Sequence, residues 1–222
     1  MYRDELMSKS IVVAVDGPVA AGKGTLGRQL AAHFGFAYLD TGALYRAVAL
    51  RLLRDSQALD NIPALVAQAQ AVSLTDLDDP GLRAEAVGEA ASVISPQPAL
   101  RAALLDYQRN FAASPPDGTN GAVLDGRDIG TVVCPDADVK IFVTASAEAR
   151  AKRRHTELVG KGEEVSLEVV AADLAARDAR DSERATSPLA AADDAHLLDT
   201  TKMDIEAAFQ AAQSYVAACM ED

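Results

Sequence analysis

A short β-branched apolar run at residues 11–15 stops at Asp16-Gly17-Pro18, and apolar positions then recur at helical spacing through Leu26, Leu30 and Phe34. A buried strand, a loop and a helix over residues 23–34 are predicted. Four more strand candidates follow at residues 36–40, 122–125, 139–144 and 196–199, with helix-like stretches between them. Strands alternating with helices predict an α/β fold built on a parallel sheet with right-handed crossovers. The spacing is uneven: 81 residues separate Asp40 from Ala122, whereas a βαβ unit needs only about 30. An inserted lobe is therefore expected over residues 42–113, with helix-like segments at 43–54 and 99–113 and a Pro- and Asp-rich stretch at 76–81. A second excursion follows the fourth strand: a basic helix at 147–158, a hinge at Gly160-Lys161-Gly162 and a helix at 167–184. Its boundaries are set at 151–185, leaving residues 10–41, 114–150 and 186–222 as the core.

Composition narrows what such a fold can do. The chain has 222 residues, 49% of them apolar, enough for a substantial core. No apolar run is long enough to span a membrane, and residues 1–10 lack a signal-peptide core, so a cytoplasmic protein with no membrane partner is expected. Cys134 and Cys219 lie far apart without metal-ligand spacing and read as reduced thiols, with a single pair as the alternative. The net charge of −12 argues against a nucleic-acid polymer as partner, because a phosphate backbone needs a broad basic surface. Small phosphates remain open. The 15 arginines outnumber the 6 lysines, and the guanidinium fork suits bidentate phosphate contact, although a GC-rich genome would give the same bias.

The strongest chemical signal is Gly17-Pro18-Val19-Ala20-Ala21-Gly22-Lys23-Gly24-Thr25, placed where the first strand passes into the first helix. That is the context of a P-loop, whose backbone N–H groups and helix N-terminus wrap the phosphates of a nucleotide. Lys23 supplies a mobile charge to the β- and γ-phosphates. The usual motif has Ser or Thr directly after the lysine, but here Gly24 intervenes. Thr25 is thus a candidate for phosphate oxygens or for Mg²⁺, with most of the metal shell left to phosphate and water.

The third strand runs into Leu124-Asp125-Gly126-Arg127-Asp128-Ile129-Gly130-Thr131. A carboxylate at the C-terminal end of a strand faces the crevice where open α/β sheets bind ligands, so Asp125 is a candidate for Mg²⁺ or its water; a turn aspartate would look the same. Arg127 can fork onto a phosphate. Arg177, Asp181 and Arg184, at i, i+4 and i+7, would share one helical face, either a solvated ladder or a cluster that neutralises a phosphoryl group.

These segments, with Leu39-Asp40-Thr41-Gly42-Ala43-Leu44-Tyr45-Arg46, Ser187-Pro188-Leu189 and Asp199-Thr200-Thr201, resemble the bacterial cytidylate kinases along nearly the whole chain and in order. The resemblance implies a five-stranded P-loop core, a CMP-binding lobe at 42–113, an arginine-rich lid within 151–185, ATP with Mg²⁺ as donor, CMP or dCMP as acceptor, and a monomer. It further implies that Thr41, Arg46 and Arg127 contact the CMP phosphate, and that Ser92, Arg101 and Asp128 contact cytosine. Arg177, Asp181 and Arg184 would contact ribose and phosphate. Arg154 would reach the transferring phosphoryl group from the lid. Val19-Ala20-Ala21 stands where Ser-Gly-Ser-like residues are frequent in the family.

Two other readings stay in view. An adenylate kinase-like enzyme shares Gly-Lys-Gly-Thr but would carry Phe-Pro-Arg after the Asp-Gly of the third strand, where this chain has Arg127-Asp128. A GTP-binding regulatory protein would use Thr201-Lys202-Met203-Asp204 to read guanine, yet it also requires Ser or Thr after Lys23; a helix start capped by Thr201 is the simpler explanation.

Overall fold

The structure is a computed structural model that describes residues 10–221. Residues 1–9 of the stretch read for a signal peptide lie outside the described residues. Five strands form one parallel sheet: β1 (Ile11–Asp16), β2 (Ala37–Asp40), β3 (Gly121–Gly126), β4 (Val139–Thr144) and β5 (His196–Asp199), in the order β2-β3-β1-β4-β5. All six residues of β3 are buried, as a strand covered on both faces requires.

One face carries α1 (Lys23–Phe34) and α8 (Ile205–Glu221), where Leu30 and Val216 pack with Val13, Val15 and Ile141. The other carries α2 (Thr41–Arg54), α3 (Ile62–Gln70), α4 (Glu85–Ile94) and α5 (Pro98–Ala113). Their core, with Leu44, Leu52, Ile94, Leu100 and Leu104, is continuous with Leu39 and Leu124 of the sheet. α6 (Ala147–Gly160) and α7 (Leu167–Glu183) pair through a small cluster of Ala151, Leu158, Val170 and Leu174.

The strands at 139–144 and 196–199 and the helix at 23–34 stand at the expected bounds. Elsewhere local chemistry moves them. Phe36 is not in β2, because its amide closes the end of α1 onto Ala31 O at 2.9 Å. α2 starts at Thr41 rather than 43, since Asp40 caps it by accepting the Ala43 amide at 3.1 Å. α3 and α4 are absent from the sequence reading: both are short, and α4 starts on Ala84 without a side-chain cap. α6 runs through Gly160, and the turn falls at Lys161-Gly162, where Gly162 has φ 86°. Arg184 leaves the helix in an extended conformation, so it does not share a helical face with Arg177 and Asp181.

No helix among the described residues is long and apolar enough to cross a membrane. Leu30 is fully buried while Leu197 is 62% exposed. Leu30→Ala is expected to cost about 3 kcal/mol in urea unfolding through transfer and cavity terms, and Leu197→Ala no more than about 0.5 kcal/mol; equal losses would contradict this packing.

Candidate active site

The loop from β1 to α1 is shaped by its backbone. Gly17 has φ 147°, and a Cβ there would lie 2.0 Å from the Val143 carbonyl oxygen, so only glycine lets the chain turn against β4. Ala20 (φ 60°) and Gly22 (φ 100°) also take left-handed conformations, the second as the N-cap of α1. The first amides of α1 have no acceptor within the helix, and Pro18 O accepts from Lys23 Nζ at 2.9 Å. Burial and the nearby Arg127 guanidinium pull the Lys23 ammonium down to about 8, against Asp125, Asp40 and Asp16.

Two cavities meet at this loop. The first, about 380 Å³, brings together Lys23, Thr25, Thr41, Arg46, Ser92, Arg101, Asp125, Arg127, Asp128, Arg154, Arg177, Asp181 and Arg184, with Val19, Ala20, Gly22 and Gly24 of the loop. The second, about 900 Å³, lies on the other side of the loop, between Ala21, Leu26, Arg153, Thr200, Met203 and Asp204. Ala20, Gly22, Thr25, Arg154 and Glu157 line both. Gly17 and Pro18 shape the loop from behind the cavity walls.

Within the first cavity the charged groups hold one another in place. Arg127 Nε donates to Asp181 Oδ2 at 2.8 Å. Arg101 donates to Asp128 and, at 3.2 Å, to the Ser95 carbonyl, and its guanidinium lies 5.7 Å from the centre of the Tyr45 ring. Arg184 reaches the other Asp128 oxygen at 3.5 Å, and its Nε donates to Ser187 O. Arg184 thus sits beside Asp128 and Arg101. Burial, Arg127 and Arg46 pull the Arg177 guanidinium down, and among the described residues no carboxylate forms an ion pair with it. Arg46 stands 4.0 Å from Asp40. Arg154 bridges Glu85 of α4 and, at 2.9 Å, Glu157 of its own helix.

Other assigned groups are engaged by the fold. The Thr41 hydroxyl donates to Asp125 O at 2.8 Å, so its proton points at the C-terminal end of β3. Asp125 is pushed up by burial, against Lys23, and accepts from the Tyr38 hydroxyl at 3.1 Å. A Cβ on Gly24 would lie 3.3 Å from Asp125 Oδ2, so a side chain in that place would crowd the carboxylate. One carboxylate and the Thr25 hydroxyl are hard oxygen donors of the kind Mg²⁺ uses when phosphates and water complete its shell. Among the described residues no group of three or more His, Cys, Asp or Glu side chains converges on a metal-sized site.

Sequence reasoning missed several residues that build the site. Arg150 ion-pairs with Asp178 at 2.7 Å and donates to Val19 O at 3.3 Å, tying α6 and α7 to the loop. Arg153 donates to Thr200 O at 2.6 Å. The basic stretch of α6 is therefore partly scaffold. Tyr38 lies in no motif, and Tyr45 lies in the Leu39-to-Arg46 segment without a role assigned to it; their proximity in space to Asp125 and Arg101 reveals both. The Thr201-to-Asp204 segment is corrected too: Asp204 caps α8 by accepting the Ala207 amide at 2.8 Å, and Thr201 bonds to Asp199 instead of capping the helix.

The cytidylate kinase family model matches residues 13–217. The chain belongs to the cytidylate kinase family. Relatives named cytidylate kinase include that of Methylocella silvestris, 57% identical over 91% of this chain and 92% of the relative. That of a Methylobacterium strain is 59% identical over 94% and 97%. A solved structure of an uncharacterized Eubacterium ventriosum protein superposes with a TM-score of 0.55 at 12% identity, over 94% of this chain and 99% of that one, a likeness of fold alone. Family membership removes the GTP-binding regulatory reading, and it agrees with the engagement of Asp204 in the α8 cap.

For this member of the cytidylate kinase family, replacing Lys23 with Met keeps the stem and removes the charge. Calorimetry with inorganic tripolyphosphate should show binding weakened by about tenfold to a hundredfold, the worth of a charge-assisted contact. Unchanged affinity would contradict phosphate binding at this loop.

Proposed function

We propose that the chain transfers the γ-phosphoryl group of ATP to CMP or dCMP, giving ADP and CDP or dCDP. The observation that carries this is the pair of cavities sharing the P-loop as a wall, one rich in cations and the other largely apolar. ATP would place its adenosine in the larger cavity and its phosphates along Gly17–Thr25, while CMP would occupy the smaller one. A CMP phosphate oxygen would then face the γ-phosphorus across Lys23, attack it in line, and release ADP without a side-chain base, since the nucleophile is already anionic. Lys23, Arg127, Arg177 and Arg154 would neutralise the charge of the phosphoryl group in flight. Arg46 would hold the CMP phosphate, and Thr41 would join it only by turning its proton from Asp125 O. Asp181 orients Arg127 and stands where a ribose hydroxyl could donate to it. Thr25 and Asp125 would hold Mg²⁺ brought in with ATP, directly or through water, and the ion would supply positive charge to offset that of the transferring phosphates.

Base choice would rest on the Arg101–Asp128 pair with Ser92. A carboxylate beside a guanidinium offers an acceptor next to donors, which matches the cytosine N4 amino group next to N3 and O2. Uracil reverses the first two positions. Arg184, drawn to the same carboxylate, would steady this edge. Residues 10–41, 114–150 and 186–222 would act as the core, 42–113 as the acceptor lobe and 151–185 as the lid with its flanking arginine-rich helix, lobe and lid closing over both nucleotides to exclude water. The Glu85–Arg154 contact between α4 and α6 supports such closure. We read the enzyme as a cytoplasmic monomer working on free nucleotides.

The test compares kcat/KM for CMP and UMP at saturating Mg²⁺-ATP. Wild type should favour CMP strongly, and Asp128→Asn should shrink that ratio by about a hundredfold, mainly through poorer use of CMP. An unchanged ratio would remove Asp128 from base recognition.

A further inference from the structure

Asp16 ends β1 immediately before the P-loop, yet its side chain serves the opposite wall of the site. Oδ1 accepts the Ile129 amide at 2.8 Å and Oδ2 accepts the Gly130 amide at 2.7 Å. These two amides follow Asp128 directly and open the π-helical turn Ile129–Val133, which has no side-chain cap from Asp128 itself. Asp128 supplies none, its oxygens facing Arg101 and Arg184 instead. The cap comes instead from the neighbouring strand, across the β1–β3 pairing that sets Asp16 opposite Gly126. Glycine at 130 keeps the approach open, since a Cβ there would lie 3.1 Å from the Lys140 side chain and 3.4 Å from Asp16 Oδ2.

We infer that Asp16 is a positioning residue for acceptor-base recognition: by capping the turn after β3 it fixes Asp128, and through Asp128 the Arg101 guanidinium. The chemistry of the residue fits this role. A carboxylate turns an oxygen to each of the two amides, whereas the NH₂ group of an asparagine in its place would meet one of them donor to donor. Burial raises the Asp16 carboxyl to about 6, with the two amides and Lys23 favouring the ion and Asp128 opposing it. Burying a carboxylate is costly unless hydrogen bonds meet it, as these two amides do, and perturbed carboxyls of this kind gather at functional sites. The opposite end of the segment is held by the Thr41 hydroxyl on Asp125 O, so residues 125–130 are fixed from both sides.

The inference rests on CMP as the acceptor, and the experiment separates the two claims. Steady-state kinetics of wild type and Asp16→Asn are measured with CMP and UMP, with KM for ATP determined alongside, and amide exchange at Ile129 and Gly130 is followed by NMR. Wild type that fails to phosphorylate CMP would overturn the acceptor reading itself. If wild type is active, Asp16→Asn should raise KM for CMP at least about tenfold, lower the CMP to UMP preference, leave KM for ATP within about threefold, and speed exchange at those two amides. A loss confined to kcat, or equal shifts in KM for ATP and CMP, would overturn the positioning role, as would no change. Should Asp16→Asn not fold, Asp16→Ser carries the same comparison. Failure of both to fold would also overturn the inference, since Asp16 would then support the sheet and not the acceptor turn.

Discussion

Crowding of like charge is the constraint around which the rest of the site is arranged. Lys23, Arg46, Arg101, Arg127, Arg177 and Arg184 line one small cavity, and several disfavour their neighbours' charge: Arg127 lowers both Lys23 and Arg177, and Arg101 lowers Arg184. Buried cations at these distances persist only where carboxylates hold them or an anion arrives. Asp181 holds Arg127, Asp128 holds Arg101 and Arg184, and Asp125 faces Lys23. Arg177 has no such partner among the described residues, which leaves part of the positive charge for a phosphate to satisfy.

The fold meets this constraint by attaching the charges to its stiffest parts. Asp125, Arg127 and Asp128 leave the C-terminal end of β3, which is paired on both sides by β1 and β2. Lys23 opens α1, whose start is fixed by the left-handed Gly22. The remaining cations come from α2, α5, α7 and the turn after α7, and the Arg150 links to Asp178 and Val19 tie α6 and α7 to the P-loop. Cations from the end of the sheet and cations from the surrounding helices thus meet over one space.

Much of this was legible before the structure because it is local. The strands at 139–144 and 196–199 announce themselves as short apolar runs, and the P-loop by its place between a strand and a helix. The unread parts depend on partners distant in sequence. Asp16 looked like a strand-ending turn residue, and only the nearness of residues 129 and 130 gives it a second role. Arg150 belonged to a basic helix whose members no periodicity separates, yet it is buried against Asp178 while Lys152 is exposed. Arg184 had helical spacing from Arg177, but the helix ends one residue earlier, and its contacts are set by the extended turn to Ser187. α3 and α4 escaped notice because short alanine-rich segments are held by packing on the lobe core more than by their own pattern.

The central claim is that one continuous anion path joins the two cavities across the P-loop. A compound carrying adenosine and cytidine on the two ends of an oligophosphate chain tests it most directly by competition calorimetry against ATP and CMP. The account predicts binding of one molecule per chain, much tighter than either nucleotide, with both displaced together and the thermal midpoint raised. Displacement of only one nucleotide, or affinity no better than that of ATP alone, would contradict it.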